Sequence, residues 1–513
     1  MLSERGSIRK DPGGRLNIAL VYPNTYRVGM SNLGLQTMYR LFNEHQGMLC
    51  ERFFTDIDGS VETGRPLSEF PIIAFSSSYE LDWIEMLRVM LRNRIQPRAS
   101  LRNGHPIVIG GGSALTLNPE PVADLFDLVF LGDGEPLPDL LRDVYTHSSS
   151  YDEIFDGLAG HAGIYIPTRT YPLLEGDELI GFAGPKPELS IVNPLEVPAH
   201  TTVVAEQATF GDMFMVETAR GCPFRCRFCT AREIYAPFRP VPLANLVEIV
   251  EKAEPFGLKI GLVSTSLNNH PEAPQIFTEI TGRGLKISPP SLRLGMISDE
   301  LITALATSRV NGVTLAPETG SEQLRYAMGK HISDQTILED ISSLISAGIR
   351  DIKLYFMVGV PGETHHHIDA TINLIRRIRQ SFIHVSRGNR TLGTVSVSLN
   401  TLVPKPHTRY EREVMISPGD ARSSIQKIVR ALKKHSNITV SFEGPKWAYL
   451  QAIFSRGDRT VLDLIESFAR DETRPWREVL RSWQKNPDFY ALRGRDLGEV
   501  LPWSFYRLAC EGS

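Results

Sequence analysis

Apolar residues along the chain fall into short runs, each followed by a small-residue loop and then a stretch of helical spacing. Asn17 to Tyr22 is such a run, leading into a Pro-Asn-Thr loop, and Leu33 to Phe42 has helical spacing. Ile72 to Ser76 is the next strand, followed by Leu81 to Leu91 at a period of 3.6. Ile107 to Ile109 runs into Gly110, Gly111 and Gly112, and Leu128 to Leu131 into Gly132, Asp133, Gly134 and Glu135. Short apolar strands that end in glycine loops predict a doubly wound, flavodoxin-like parallel sheet over residues 1–149. Ligands of such sheets sit at the carboxyl ends of the strands.

The pattern breaks over 150–211, where prolines recur and a run such as Gly163 to Ile166 suggests a connecting segment with a small β element. A second alternating series occupies 212–436. Its strands are Phe214 to Thr218, Ile260 to Ser264, Leu292 to Gly295, Val313 to Ala316, Ile352 to Val358 and Val395 to Leu399. Helices lie between them, among them Leu243 to Ala253 and Asp334 to Ser346. Six strand-helix units predict a partial (βα)6 barrel of the TIM type, with its active face at the strands' carboxyl ends. Residues 437–513 read as a small, mainly helical segment.

Composition narrows the class. The chain has 513 residues, enough for two or three domains, with 42% hydrophobic and 22% charged residues. A net charge of -4 does not indicate a nucleic-acid binder. No apolar run is long enough to span a bilayer and the N-terminus is polar, so the expected location is cytoplasmic, away from membranes.

Three of the five cysteines fall within eight residues, as Cys222-Pro-Phe-Arg-Cys226-Arg-Phe-Cys229; Cys50 and Cys510 are distant. Clustered cysteines in a large chain point to metal ligation or catalysis rather than a disulfide framework. Soft thiolates suit iron, and three protein ligands leave one corner of a 4Fe-4S cube open, as a catalytic centre requires. A zinc site would want a fourth Cys or a His nearby, and residues 215–240 hold neither.

The segment resembles the C-x3-C-x-aromatic-C motif of the radical S-adenosylmethionine (SAM) superfamily. The resemblance implies a 4Fe-4S cluster on Cys222, Cys226 and Cys229, with SAM chelated at the open iron. It also implies reductive cleavage to a 5'-deoxyadenosyl radical, and a low-potential electron donor of flavodoxin or ferredoxin type. Phe228 would pack near the adenine, or as a core aromatic beside the cluster. Later strands carry segments similar to the family's cofactor motifs: Ser264-Thr-Ser266, Glu318 in Leu315-Ala-Pro-Glu-Thr-Gly, and Gly359 to Gly362. For Gly359 and Gly362 a structural turn is an equal reading. Arg293 and Lys353 are expected in structural ion pairs, and His365 to His367 at a solvated helix start.

Gly110, Gly111 and Ser113, with Gly132 and Glu135, resemble the cobalamin-binding-type domain that precedes many radical SAM barrels. Small residues there would let a nucleotide tail thread into the sheet. The usual D-x-H-x-x-G motif is missing, since the loop from Pro23 to Gly34 contains no His. The expected activity is a cobalamin-linked methyl transfer to an unactivated carbon. The alternatives are a corrinoid-independent radical enzyme (rearrangement, cyclisation or RNA modification) and a non-catalytic cluster- or corrinoid-binding sensor. The substrate and the catalytic residues beyond the cofactor site are not fixed by the sequence.

Overall fold

The structure, a computed structural model, describes residues 3–102, 104–194, 198–386 and 393–508. Cys510 lies outside them.

The N-terminal sheet contains β1 (Leu16–Val21), β2 (Met48–Phe53), β3 (Ile72–Ser76), β4 (Ile107–Gly111), β5 (Leu128–Phe130) and β6 (Ile164–Tyr165). Their order is β2-β1-β3-β4-β5-β6, parallel except for β6. This is the flavodoxin-like order, with its ligand crevice where the winding reverses between β1 and β3. Strand period places Ile18, Leu20, Ile72 and Ile109 in one core with Leu35, Tyr39 and Phe42 of helix Leu33–Glu44. Ala19, Val21, Ile73 and Val108 face the other core with Trp83, Met86 and Leu87 of helix Asp82–Arg92. Both faces are covered, as a parallel sheet requires.

Two features of this domain depart from the sequence reading. The edge strand β2 escaped it because Glu51 and Arg52 interrupt the apolar run. Both are buried and partnered: Arg52 bonds Glu62 at 2.7 Å and Glu4 at 2.8 Å, and Glu51 accepts from Thr63 Oγ1 at 2.6 Å. The domain also continues past 149, because helix Tyr151–Leu158 packs on it and β6 closes its sheet. The connecting segment proper carries the antiparallel hairpin Tyr171–Glu175 and Glu178–Ala183.

The barrel is built from β7 (Met213–Glu217), β8 (Lys259–Val263), β9 (Ile287–Ser288), β10 (Gly312–Glu318), β11 (Asp351–Val358), β12 (Thr394–Thr401) and β13 (Ile438–Phe442). All neighbours are parallel. The strand expected at Leu292 to Gly295 shrinks to a single bridge, Leu292 to Leu315, that joins the β7-β8-β9 and β10-β13 sheets. Pro289 and Pro290 explain the shift, since neither can donate to a ladder. The boundary expected at 436/437 also moves: β13 adds a parallel strand to β12 before the helical segment begins.

The C-terminal helices, Pro445–Ser455, Val461–Arg470, Trp476–Ser482 and Pro487–Ala491, pack on the N-terminal domain. Phe454 stacks on Trp83 with ring centroids 6.4 Å apart. Asn118 Nδ2 donates to the carbonyls of Ser455 (3.1 Å) and Gly457 (2.9 Å), and Arg459 pairs with buried Glu120 at 3.0 Å. Among the described residues no helix is long and apolar enough to cross a membrane.

Candidate active site

The cysteine loop begins where β7 ends. Ala219–Arg220 pairs antiparallel with Arg239–Pro240, closing a loop that carries the three cysteines, and helix Thr230–Tyr235 starts directly after Cys229. Gly221 turns the chain at φ +81°, and a Cβ there would lie 2.4 Å from the carbonyl oxygens of Tyr235 and Pro237. Its own carbonyl accepts from the Thr265 hydroxyl at the end of β8. Opposite, Gly329 (φ +77°) approaches Arg225 so closely that a Cβ would sit 2.6 Å from the Arg225 carbonyl oxygen, and Arg227 N–H donates to Met328 O at 2.9 Å. The loop is thus clamped from both sides. Gly221→Ala is expected to cost about 1–3 kcal/mol in loop strain, read as reduced iron and sulfide per chain after anaerobic reconstitution.

Cys222, Cys226 and Cys229 are free thiols and partly accessible, whereas Cys50 is buried in the N-terminal core. Burial pushes the thiols of Cys222 and Cys229 up, the latter to about 11, so a bound metal must provide the force that deprotonates them. Among the described residues no three His, Cys, Asp or Glu side chains are grouped to hold one metal ion. A cube distributes its three thiolates over three different irons, a wider arrangement than ligands around a single ion. Arg293 does not enter an ion pair among the described residues. Its guanidinium lies 3.6 Å from the Phe224 ring centroid, and its Nη1 donates to Cys226 Sγ at 3.5 Å. A hydrogen bond to a cluster thiolate is one of the levers on reduction potential.

The other expected contacts divide. Phe228 packs against Met328, Val360, Leu402 and Tyr410, as an aromatic beside the loop. Ser264 and Thr265 face the interdomain cavity, while Ser266 is buried and donates to Asn269 Oδ1 at 2.8 Å. Glu318 sits at a bulge in β10 with φ +69° and pairs with Lys330 at 2.8 Å. Gly359 turns at φ +82°, and its N–H donates to Glu363 at 2.6 Å; burial pushes Glu363 up to about 7 against that bond. Gly362 also has positive φ, with open space where a Cβ would be. Both glycines therefore serve the turn.

The five N-terminal candidates converge. Gly110, Gly111, Ser113, Gly132 and Glu135 line one cavity of about 390 Å³ at the carboxyl ends of the N-terminal sheet. Its far wall belongs to the barrel: Glu217, Arg220, Gly221, Val263, Ser264 and Thr265. Gly111 has no neighbour closer than 3.7 Å to a Cβ position, so its missing side chain opens space, whereas a Cβ on Gly132 would meet Ser190 O at 2.2 Å. Among the described residues no histidine lines the cavity.

A buried ion network, which sequence reasoning missed apart from Glu135, crosses this boundary. Arg220 bonds Glu217 through Nε and Nη2 at 2.8 Å each, Glu135 at 2.8 Å and Asp133 at 3.0 Å. Arg239 reaches Asp133 at 2.9 Å. Burial opposes the Arg220 charge, but its bonds to Glu217 and the surrounding carboxylates hold its pKa above the ordinary value. The signal available was a Glu217-x-x-Arg220 pair at a strand end, its arginine two residues before Cys222.

Comparison with known proteins decides the family. Residues 216–375 match the model of the radical SAM superfamily, and residues 34–167 match that of the N-terminal domain of radical SAM proteins. The chain belongs to the radical SAM superfamily. It is accordingly an enzyme, with a 4Fe-4S cluster and SAM as its cofactors. An uncharacterized protein of Methanocaldococcus jannaschii is 28% identical over 88% of the chain and 90% of its own length. A putative methylthiotransferase of the same organism is 24% identical over 48% of the chain and 59% of itself. The ribosomal protein uS12 methylthiotransferase RimO of Caldanaerobacter subterraneus is 24% identical, covering 41% and 50%. The radical SAM methyltransferase TsrM of Kitasatospora setae, solved with cobalamin and a 4Fe-4S cluster, superposes with a TM-score of 0.53 at 14% identity, covering 78% of this chain and 74% of that one. The cobalamin-dependent radical SAM enzyme OxsB, with aqua-cobalamin and SAM bound, gives 0.53 at 14% identity, covering 94% and 64%. These structures share the fold.

Proposed function

We propose that this radical SAM enzyme carries its cluster on Cys222, Cys226 and Cys229, binds a corrinoid in the interdomain cavity, and transfers a methyl group to an unactivated carbon. The observation that carries this reading is the cavity itself. One wall is the glycine-edged carboxyl end of a flavodoxin-like sheet, the other the strand ends that frame the cysteine loop. A ligand held there lies against both units at once. The cluster and corrinoid, when bound, would supply the electron for SAM cleavage and the methyl carrier.

The chain's own residues define what it contributes. Gly111 leaves space on the wall, Gly110, Gly112 and Gly132 let Phe126, Ser77 and Ser190 pack closely behind it, and Ser113 and Thr265 bring hydroxyls to it. Among the described residues no histidine stands on the wall, so the residues present would hold a corrinoid by shape and hydrogen bonds. Arg220 fixes the cysteine loop to the Asp133–Glu135 loop, and Arg293 supports the Cys226 sulfur.

The test is anaerobic reconstitution with iron, sulfide and hydroxocobalamin, then desalting and quantification on one sample. The expected result is corrinoid absorbance roughly equimolar with chain, alongside a full complement of iron and sulfide. Cluster-loaded protein that forms 5'-deoxyadenosine but retains no corrinoid overturns the methyl-transfer reading and leaves a corrinoid-independent radical enzyme.

A further inference from the structure

The inner face of the barrel is not a packed core. On β10 to β13, alternate residues such as Leu315, Leu354, Phe356, Val397 and Leu399 are buried against the surrounding helices. The residues between them point the opposite way, into the lumen, and in a closed barrel would be bulky branched side chains stacked in layers. Here β11 presents Lys353 and Tyr355, β12 presents Ser396, Ser398 and Asn400, and β13 presents Thr439 and Ser441. All are exposed or half-buried. Contacts across the strands place them on one face: Thr439 Oγ1 donates to Ser396 Oγ at 3.0 Å, and one register step lower Thr394 donates to Asp351.

Two charged side chains stand on this wall: Asp351 at its lower rim, which accepts from Thr394, and Lys353 above it. Lys353 Nζ lies 4.8 Å from the centroid of the Tyr355 ring, two residues nearer the cysteine loop, so the ammonium rises toward the active face. Among the described residues no carboxylate lies within ion-pair distance of it, while the neighbouring Lys330 is consumed by Glu318. Ser398 and Asn400 make no side-chain hydrogen bond among the described residues. An apolar substrate would leave these groups dry and unpaired, at a penalty of order 1–3 kcal/mol for each.

We propose that the lumen takes a small hydrophilic substrate bearing a carboxylate or phosphate, with Lys353 selecting for that charge. The inference rests on the reading above only in that the substrate lies beneath the cysteine loop. Lys353 and Met357, at the top of β11, are four residues apart, about 13 Å along a strand. Allowing for the lysine's own length, an anion held there leaves room for a metabolite of a few carbons to reach the strand ends.

Three probes of one skeleton test it by equilibrium dialysis against the reconstituted full-length enzyme: glycerol, glycerate and glycerol 3-phosphate. Wild type is expected to retain at least one anion above glycerol. Retention of glycerate alone assigns a carboxylate, and of glycerol 3-phosphate alone a phosphate. K353Q is expected to weaken the retained anion about tenfold, and K353R to restore it. Equal retention of all three probes, retention of none, or K353Q indistinguishable from wild type overturns the proposal. Corrinoid content is measured on the same samples. Anion discrimination without corrinoid leaves this inference standing and removes the methyl-transfer reading; corrinoid without discrimination does the reverse.

Discussion

Cys226→Ala enzyme, prepared without oxygen, is expected to hold no intact cube and to form 5'-deoxyadenosine only at the no-enzyme background. Three thiolates are the minimum that grips a cube while leaving one iron open, so losing one removes a corner with no replacement at hand. Among the described residues the only other cysteine is Cys50, which lies in the N-terminal core against helix Leu33–Glu44. Cys226 is also the sulfur that Arg293 touches, so the substitution deprives that guanidinium of its acceptor and leaves it stacked on Phe224 alone. Cys50→Ala is the matched control and is expected to keep both cluster and SAM cleavage. Iron and sulfide content, the electron paramagnetic resonance signal of the reduced cluster, and chromatographic detection of 5'-deoxyadenosine read the result. A full cube with deoxyadenosine formation in Cys226→Ala ends the assignment of the cluster to this loop.

The parts of the fold legible in sequence are those where local pattern and tertiary role agree. Helices Leu243–Ala253 and Asp334–Ser346 stand where their spacing puts them, and the strands that end in Gly110 and Gly132 form the carboxyl edge of the first sheet. Strand β2 was illegible because its polar residues are paired by Glu4, Glu62 and Thr63, contacts no local window contains. The same limit applies to the C-terminal helices. Their amphipathic pattern is plain, but that they cover the N-terminal sheet through Phe454 and Trp83 is a long-range fact. At the site, cysteine spacing gave the loop and glycine runs gave one wall of the cavity. Arg220 was missed, Thr265 went unremarked within its motif and Arg293 was read as an ion-pair member, because each takes its meaning from a partner on another element.

Arg220→Met is expected to destabilise the protein by about 3–5 kcal/mol, the usual consequence of removing one side of a buried ion network. The reason is the imbalance left behind. Asp133, Glu135 and Glu217 are nearly excluded from solvent, with side-chain exposures of 5%, 10% and 11%, and among the described residues Arg239 would be the one cation left to answer them, through Asp133, beside the N–H groups of Val192 on Asp133 and Ala199 on Glu217. Glu135→Gln is expected to cost much less, since Arg220 keeps Glu217 and Asp133. Because the network is buried, added salt is expected to change little in wild type, whereas an exposed pair such as Arg142 with Asp143 would be screened. The midpoint of the first denaturant transition measures the effect, and a Glu217→Gln/Arg220→Met double-mutant cycle separates pairing from packing. Corrinoid and iron loading are expected to fall together in Arg220→Met, since one guanidinium joins the loop that edges the cavity to the loop that carries the cysteines. A variant that unfolds at the wild-type midpoint and loads both cofactors normally would mean that the two domains are held in register without Arg220, by their apolar contacts and by pairs such as Arg239 with Asp133.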